Sequence, residues 1–288
     1  LHGTVDAEVG PGAVREARSE VRRAAVVAAG LALLALSGCS RSSPPDRIHG
    51  TRLTIYASVP LEGASAVDAE AVLNGASIAL DQVADKLGKY HIVFRTLDDA
   101  TIKANGWDPG QTEADARVAA TDRGTIGYIG DYDSGASAIS IPLLNRAGIP
   151  QVSPSNTAVG LTTDGPGASP GEPQKYYPTG VRTYVRVVPN DAIQASVQVK
   201  LQESLGCSKT FIVDDGEVDG LETATSFEAA AHTAGLPIAG IGAFVPNAAD
   251  YTSFAAGVAA AAPGCVFVSA RTESGAALVV ERLAAALP

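Results

Sequence analysis

The chain has 288 residues, 46% hydrophobic and 18% charged, enough for one large or two ordinary domains with real cores. Its balance is acidic, 21 basic against 31 acidic residues, and no basic run is long enough to track a phosphate backbone. That argues against a nucleic-acid partner, whereas an acidic surface mainly serves solubility and weakly favours a cationic or zwitterionic ligand.

Methionine is absent, so Leu1 is not an ordinary start. The chain reads as a fragment or as extended upstream, with Val21 the candidate start and residues 1–20 outside the mature protein. Arg22 and Arg23 form a basic flank, and Ala24–Leu36 is an apolar run too short to span a bilayer but suited to a secretory signal. Leu36-Ser37-Gly38-Cys39 follows. This ending resembles the bacterial lipoprotein signal. The resemblance implies that residues 21–38 are a signal peptide cut before Cys39, whose acylated thiol anchors the protein on the outer face of a membrane. The blander readings are a plain signal peptide or a short buried helix. Residues 39–50, rich in Ser and Pro, read as a tether.

Strands and helices then alternate. The pattern predicts a strand over Leu53–Ala57, then a helix carrying Leu73, Ala76, Leu80, Val83 and Leu87 on one face. A strand over Tyr90–Leu97 ends in Asp98-Asp99, and Thr112-Glu-Ala-Asp115 opens a helix as a capping box. Thr125–Ile129 reads as a strand, Asp131–Ser137 as a small-residue turn, then a helix with Ile139, Leu143 and Ala147 inward. Gly148 stops that helix before strand Ile149–Val152 and the hydroxyl-rich turn Pro154–Thr157.

Residues 160–180 form a long Gly/Pro-rich loop, a feature that is usually functional or mobile. Thr183–Val188 reads as a strand, followed by a helix with Ile193, Val197, Leu201 and Leu205 on one stripe. A second series follows: strand Thr210–Val213, helix Leu221–Ala234, strand Ile238–Phe244, a helix around Phe254, strand Cys265–Ser269 and helix Ser274–Ala286. Such alternation means parallel βαβ units. The fold expected is α/β with two doubly wound Rossmann-like lobes, residues 51–186 and 187–288, the second incomplete at its C-terminal side.

Catalytic motifs are missing: there is no G-x-S-x-G elbow and no H-E-x-x-H, and the four histidines are scattered. No enzyme activity, metal or cofactor is expected. Gly165–Gly171 has the wrong spacing and two prolines for a dinucleotide fingerprint. Cys207 and Cys265 would open adjacent strands of the second lobe, so an exported protein permits a disulfide between them, with two buried free thiols as the alternative.

Two strand-ends finishing in hydroxyl-rich turns are a candidate ligand site, because ligands gather at strand carboxyl ends and helix N-termini favour a carboxylate. Ser134 and Ser137 also suit plain helix capping, and Ser155-Asn156-Thr157 an ordinary turn. Asp214, Asp215, Glu217 and Asp219 suit a solvated loop.

Taken together, Val59-Pro60-Leu61-Glu62-Gly63, Asn74-Gly75, Asp98-Asp99, Gly130–Ser137, Gly148-Ile149-Pro150, Ser153–Thr157, Tyr184–Val187 and Asp214-Asp215 resemble type I extracytoplasmic solute-binding proteins of ABC transporters, in particular the branched-chain amino-acid group. The resemblance implies two lobes closing on an amino acid. Ser134 with Ser155, Asn156 and Thr157 would hold its carboxylate, and Tyr132 and Ser137 would lie in the same wall. Asp219, where the family places an aromatic, or Glu273 would meet its ammonium. It further implies an ABC permease and ATPase as partners and a monomeric receptor. An extracytoplasmic sensor of the same fold is the alternative; an exported α/β enzyme comes after it.

Overall fold

The computed structural model describes residues 50–84 and 86–287, within one compact unit, Arg47–Pro288. The expected signal, the expected lipidation site Cys39 and nearly all of the expected tether lie outside the described residues. The first sheet has the order β2-β3-β1-β6-β7-β8. Its strands are β1 (Arg52–Val59), β2 (Lys86–Leu87), β3 (Tyr90–Asp98), β6 (Thr125–Ile129), β7 (Gln151–Ser153) and β8 (Tyr184–Arg186). All pair in parallel except the short edge strand β2. The strand order reverses beside β1, so the ends of β1 and β6 open a crevice.

Helices α1 (Ala66–Gln82), α2 (Pro109–Thr121) and α3 (Ser134–Ala147) cross between these strands. A two-stranded hairpin, β4 (Ala100–Thr101) with β5 (Gly106–Trp107), is inserted before α2 and was not expected from the pattern. The cap of α2 is Asp108 rather than Thr112: its carboxylate accepts the N–H groups of Gly110 and Gln111, and Pro109 supplies the preset first-turn φ. Helix α3 likewise begins at Ser134, inside the expected turn, and ends on left-handed Gly148.

The second sheet has the order β10-β9-β11, from β9 (Thr210–Asp214), β10 (Ile238–Ala243) and β11 (Cys265–Ser269), all parallel. Helices α4 (Asp191–Ser204) and α5 (Val218–Ala234) cover one face around Ile212, Phe227 and Phe267. Helices α6 (Thr252–Ala260) and α7 (Ala276–Ala286) cover the other around Val213, Tyr251 and Val279. Phe227 stacks on Phe267 with ring centres 3.9 Å apart. Cys207 and Cys265 are joined as a disulfide with Cα atoms 5.6 Å apart, at the amino ends of β9 and β11.

Two stripes are displaced: α1 ends at Gln82, leaving Val83 and Leu87 exposed with Leu87 in β2, and the stripe on α4 faces outward. Ile193, Val197, Leu201 and Leu205 are exposed by 56, 60, 51 and 70%, whereas α4 buries Asp191, Ala195, Val199 and Gln202. Small side chains on both helices (Ala195 on α4, Ala224 and Ala231 on α5) let the backbones approach, and that contact selects the inward face. No described helix is long and apolar enough to cross a membrane.

Candidate functional site

The first wall is built on a buried carboxyl. Gly130 carries φ 131°, and a Cβ there would stand 2.3 Å from the Ser58 carbonyl, so only glycine lets the ends of β1 and β6 approach this closely. Asp131, fully buried, follows it. Its carboxyl accepts hydrogen bonds from the Tyr128 hydroxyl at 2.9 Å and from the Ser140 hydroxyl. Its N–H donates to Ser137 Oγ at 3.0 Å, and its carbonyl accepts Ser153 Oγ at 2.9 Å and Asn156 Nδ2 at 3.1 Å. Burial pushes the Asp131 carboxyl up to about 7 against the pull of these hydroxyls.

Two residues of the expected ligand set therefore face inward. Ser137 and Asn156 are buried, and their polar atoms are committed to Asp131, Tyr132 and Tyr184, so they shape the wall from behind. The other turn residues line the cleft. Tyr132, Ser134, Ser155 and Thr157 face a cavity of about 180 Å³ with Asp191, Glu222 and Arg271. The Ser134 hydroxyl accepts the N–H groups of Thr157 (3.2 Å) and Ala158 (3.3 Å), and Ser155 Oγ donates to the Tyr132 carbonyl at 2.5 Å. Both turns are thus tied into one rigid surface.

The opposite wall comes from the ends of β9 and β11. Buried Asp215 accepts the N–H of Glu217 (3.1 Å), the N–H of Arg271 (3.1 Å) and the hydroxyl of Ser274 (2.6 Å). That fixes Arg271 at the mouth, where its guanidinium bonds Asp219 and lies 3.6 Å from Asp133 on the first wall. Asp219 does line the cleft, but its carboxylate already faces a cation. The backbone of Glu273 sits in a 3-10 turn, Thr272–Ser274, while its side chain falls outside the described residues.

A larger cavity of about 590 Å³ continues between the walls, lined by Ser65, Trp107, Asp133, Glu217 and Arg271 among others. Ser65, Asp133 and Glu217 are the N-caps of α1, α3 and α5, and none caps its helix through its side chain. Three positive helix ends therefore converge on the cleft, an arrangement suited to an anionic group. The single tryptophan, Trp107, lies so close to Gly135 that a Cβ there would stand 2.7 Å from its ring.

Arg271, Asp133, Trp107, Asp191 and Glu222 were not among the expected contacts. Arg271 is a lone basic residue between a strand and a helix, and Trp107 sits in a hairpin; only a three-dimensional pairing across the cleft singles them out. Among the described residues no group of three or more His, Cys, Asp or Glu could hold a metal ion.

Residues 72–276 match the model of the family described as "Receptor family ligand binding region". The chain belongs to this family. It is a family of ligand-binding regions rather than of enzymes. No curated protein matches the sequence.

Solved structures with the same fold include a solute-binding protein of an ABC transporter from Rhodopseudomonas palustris in complex with 4-hydroxybenzoate. It is 15% identical with a TM-score of 0.61, over 75% of this chain and 53% of that one. A leucine-binding protein from Thermotoga maritima is 16% identical with a TM-score of 0.61, over 75% and 55% of the two chains. An ABC transporter substrate-binding protein from Desulfitobacterium hafniense in complex with Leu is 18% identical with a TM-score of 0.63, over 82% and 63%. The chain thus spans less than two thirds of each, and the architecture is the type I periplasmic-binding-protein fold.

Proposed function

We propose that this chain is the ligand-binding part of an extracytoplasmic solute-binding protein that captures a small zwitterion, an amino acid in the simplest case, for an ABC permease and ATPase. The lipid anchor at Cys39 and the boundary near Val185–Pro189, about which residues 51–186 and 187–288 would close, belong to the same proposal. The observation that carries it is a two-walled cleft at strand carboxyl ends in which both signs of charge converge.

The carboxylate is received by Arg271 and the N-terminus of α3, with the hydroxyls of Ser134, Ser155 and Thr157 beside it. The ammonium is received by Asp133 or Asp219, each released from Arg271 as the ligand carboxylate takes their place. The ligand exchanges partners inside a ready-made ion cluster, so little desolvation is left uncompensated. The solved neighbours that bind leucine and hydroxybenzoate support a small carboxylate, branched-chain amino acids included.

Calorimetric titration of the purified protein with amino acids, and with benzoate as a carboxylate lacking the ammonium, tests the reading. Saturable binding of an amino acid with none of benzoate is expected. Binding of benzoate alone, or of nothing in the set, overturns it.

A further inference from the structure

The long loop 160–180 is held in place. A Cβ on Gly160 would fall 1.7 Å from Glu172 Oε2, and Tyr177 donates its hydroxyl to the Leu161 carbonyl at 2.6 Å. The loop reaches the opposite wall as well, where the Ser226 hydroxyl of α5 donates to the Pro166 carbonyl at 3.3 Å. Thus anchored, it forms one side of a further cavity of about 190 Å³ lined by Leu161, Glu172, Lys175, Tyr176 and Glu222. This side cavity shares Ser134, Ala158, Asp219 and Glu222 with the ligand cleft, so it continues from where the zwitterion head would sit.

The charges in the two spaces do not balance. Arg271 is met by Asp133 and Asp219, and Lys175 Nζ is 2.8 Å from Glu172, which also takes the hydroxyl of Tyr176 and the N–H of Ser169. Asp191 lies near the Thr157 and Thr223 side chains and the positive charge of Arg186. Among the described residues the Glu222 carboxylate has no hydrogen bond or ion pair, and it stands where the two cavities join.

We infer that the side cavity receives a cationic side arm of the ligand, with Glu222 its counter-charge, so that the preferred substrate class is an amino acid bearing a second positive group rather than an aliphatic one. This rests on the zwitterion reading above. The arm's charge meets Glu222 at the junction of the two spaces, and Leu161 and Tyr176 beside it give the arm's methylene groups an apolar bed. Burial, then repulsion from Glu172 and Asp191, raises the Glu222 carboxyl to about 7, and Lys175 opposes this only in part. A bound cation favours the ionised form, so affinity for it falls as the pH drops below about 7.

The test is calorimetry at pH 8 with arginine, leucine and agmatine, which keeps the guanidinium and lacks the carboxylate, on the wild type and Glu222→Gln. Arginine is expected to bind at least about tenfold more tightly than leucine, and Glu222→Gln to weaken arginine by about tenfold, with circular dichroism of the variant reporting an intact fold. Leucine binding as well as or better than arginine overturns the inference and leaves the zwitterion reading standing. Agmatine binding that is lost in Glu222→Gln, with neither amino acid bound, supports the cation cavity and overturns the zwitterion reading. Silence of all three ligands overturns both.

Discussion

Each wall of the cleft hangs on a buried aspartate placed just after a strand, and the two are built from different donors. Asp131 is met by hydroxyls and an amide side chain, with Asp99 and Asp115 buried nearby; Asp215 is met by two peptide N–H groups and one hydroxyl. Peptide donors cannot rotate away or change charge, so the second wall is fixed by backbone geometry. The first wall instead depends on neighbouring carboxyls that titrate.

The largest loss is expected from the apolar core of the second sheet. Phe227→Ala removes a fully buried ring stacked on Phe267 and should cost ~3–5 kcal/mol in chemical denaturation, unfolding the second lobe first. Asp215→Ala strands the N–H groups of Glu217 and Arg271 and should cost ~2–3 kcal/mol. It should also abolish ligand binding in calorimetry, because Arg271 loses its place.

The first wall should respond to pH. Burial foremost lifts Asp99 to about 8, helped by repulsion from Asp131, and lifts Asp115 to about 6; Asp131 is near 7. The folded state therefore holds protons that the unfolded chain has released. That stabilisation is complete below the unfolded carboxyl values and is lost as the pH rises through about 6 to 8. Melting temperature should thus increase from pH 8.5 to pH 5. Neither Asp99 oxygen finds a donor among the described residues, so Asp99→Asn should flatten that slope and raise the melting temperature at pH 8.5 by roughly 2–4 °C.

Smaller still, Gly135→Ala pushes a methyl against the Trp107 ring and should shift the emission of the only tryptophan, at a cost of ~1 kcal/mol. Smallest is Arg117→Ala, which removes an exposed pair with Glu113 and should change stability by less than ~0.5 kcal/mol.

Much of the frame was legible in the residues. Short apolar strands alternating with helices located β6, β9 and β11, and that alternation placed Cys207 beside Cys265. The stripe on α4 misled, because four large aliphatics at every fourth position define a face without saying what lies against it. Ser137 and Asn156 turn inward toward Asp131, which the residues alone do not show: a hydroxyl or amide in a turn can point at a ligand or back at a buried carboxyl, and the composition is the same for both. Arg271 and Glu222 were invisible because their meaning lies in charge balance across residues far apart in the chain.

The disulfide between Cys207 and Cys265 closes a loop of 58 residues, at the end of the second sheet remote from the ligand. Restricting the unfolded chain to that extent contributes ~2–4 kcal/mol. That support depends on an oxidising compartment and is confined to one wall of the cleft. Material made in a reducing cytosol would lack it, and two preparations of identical sequence would then differ in how firmly Arg271 is presented.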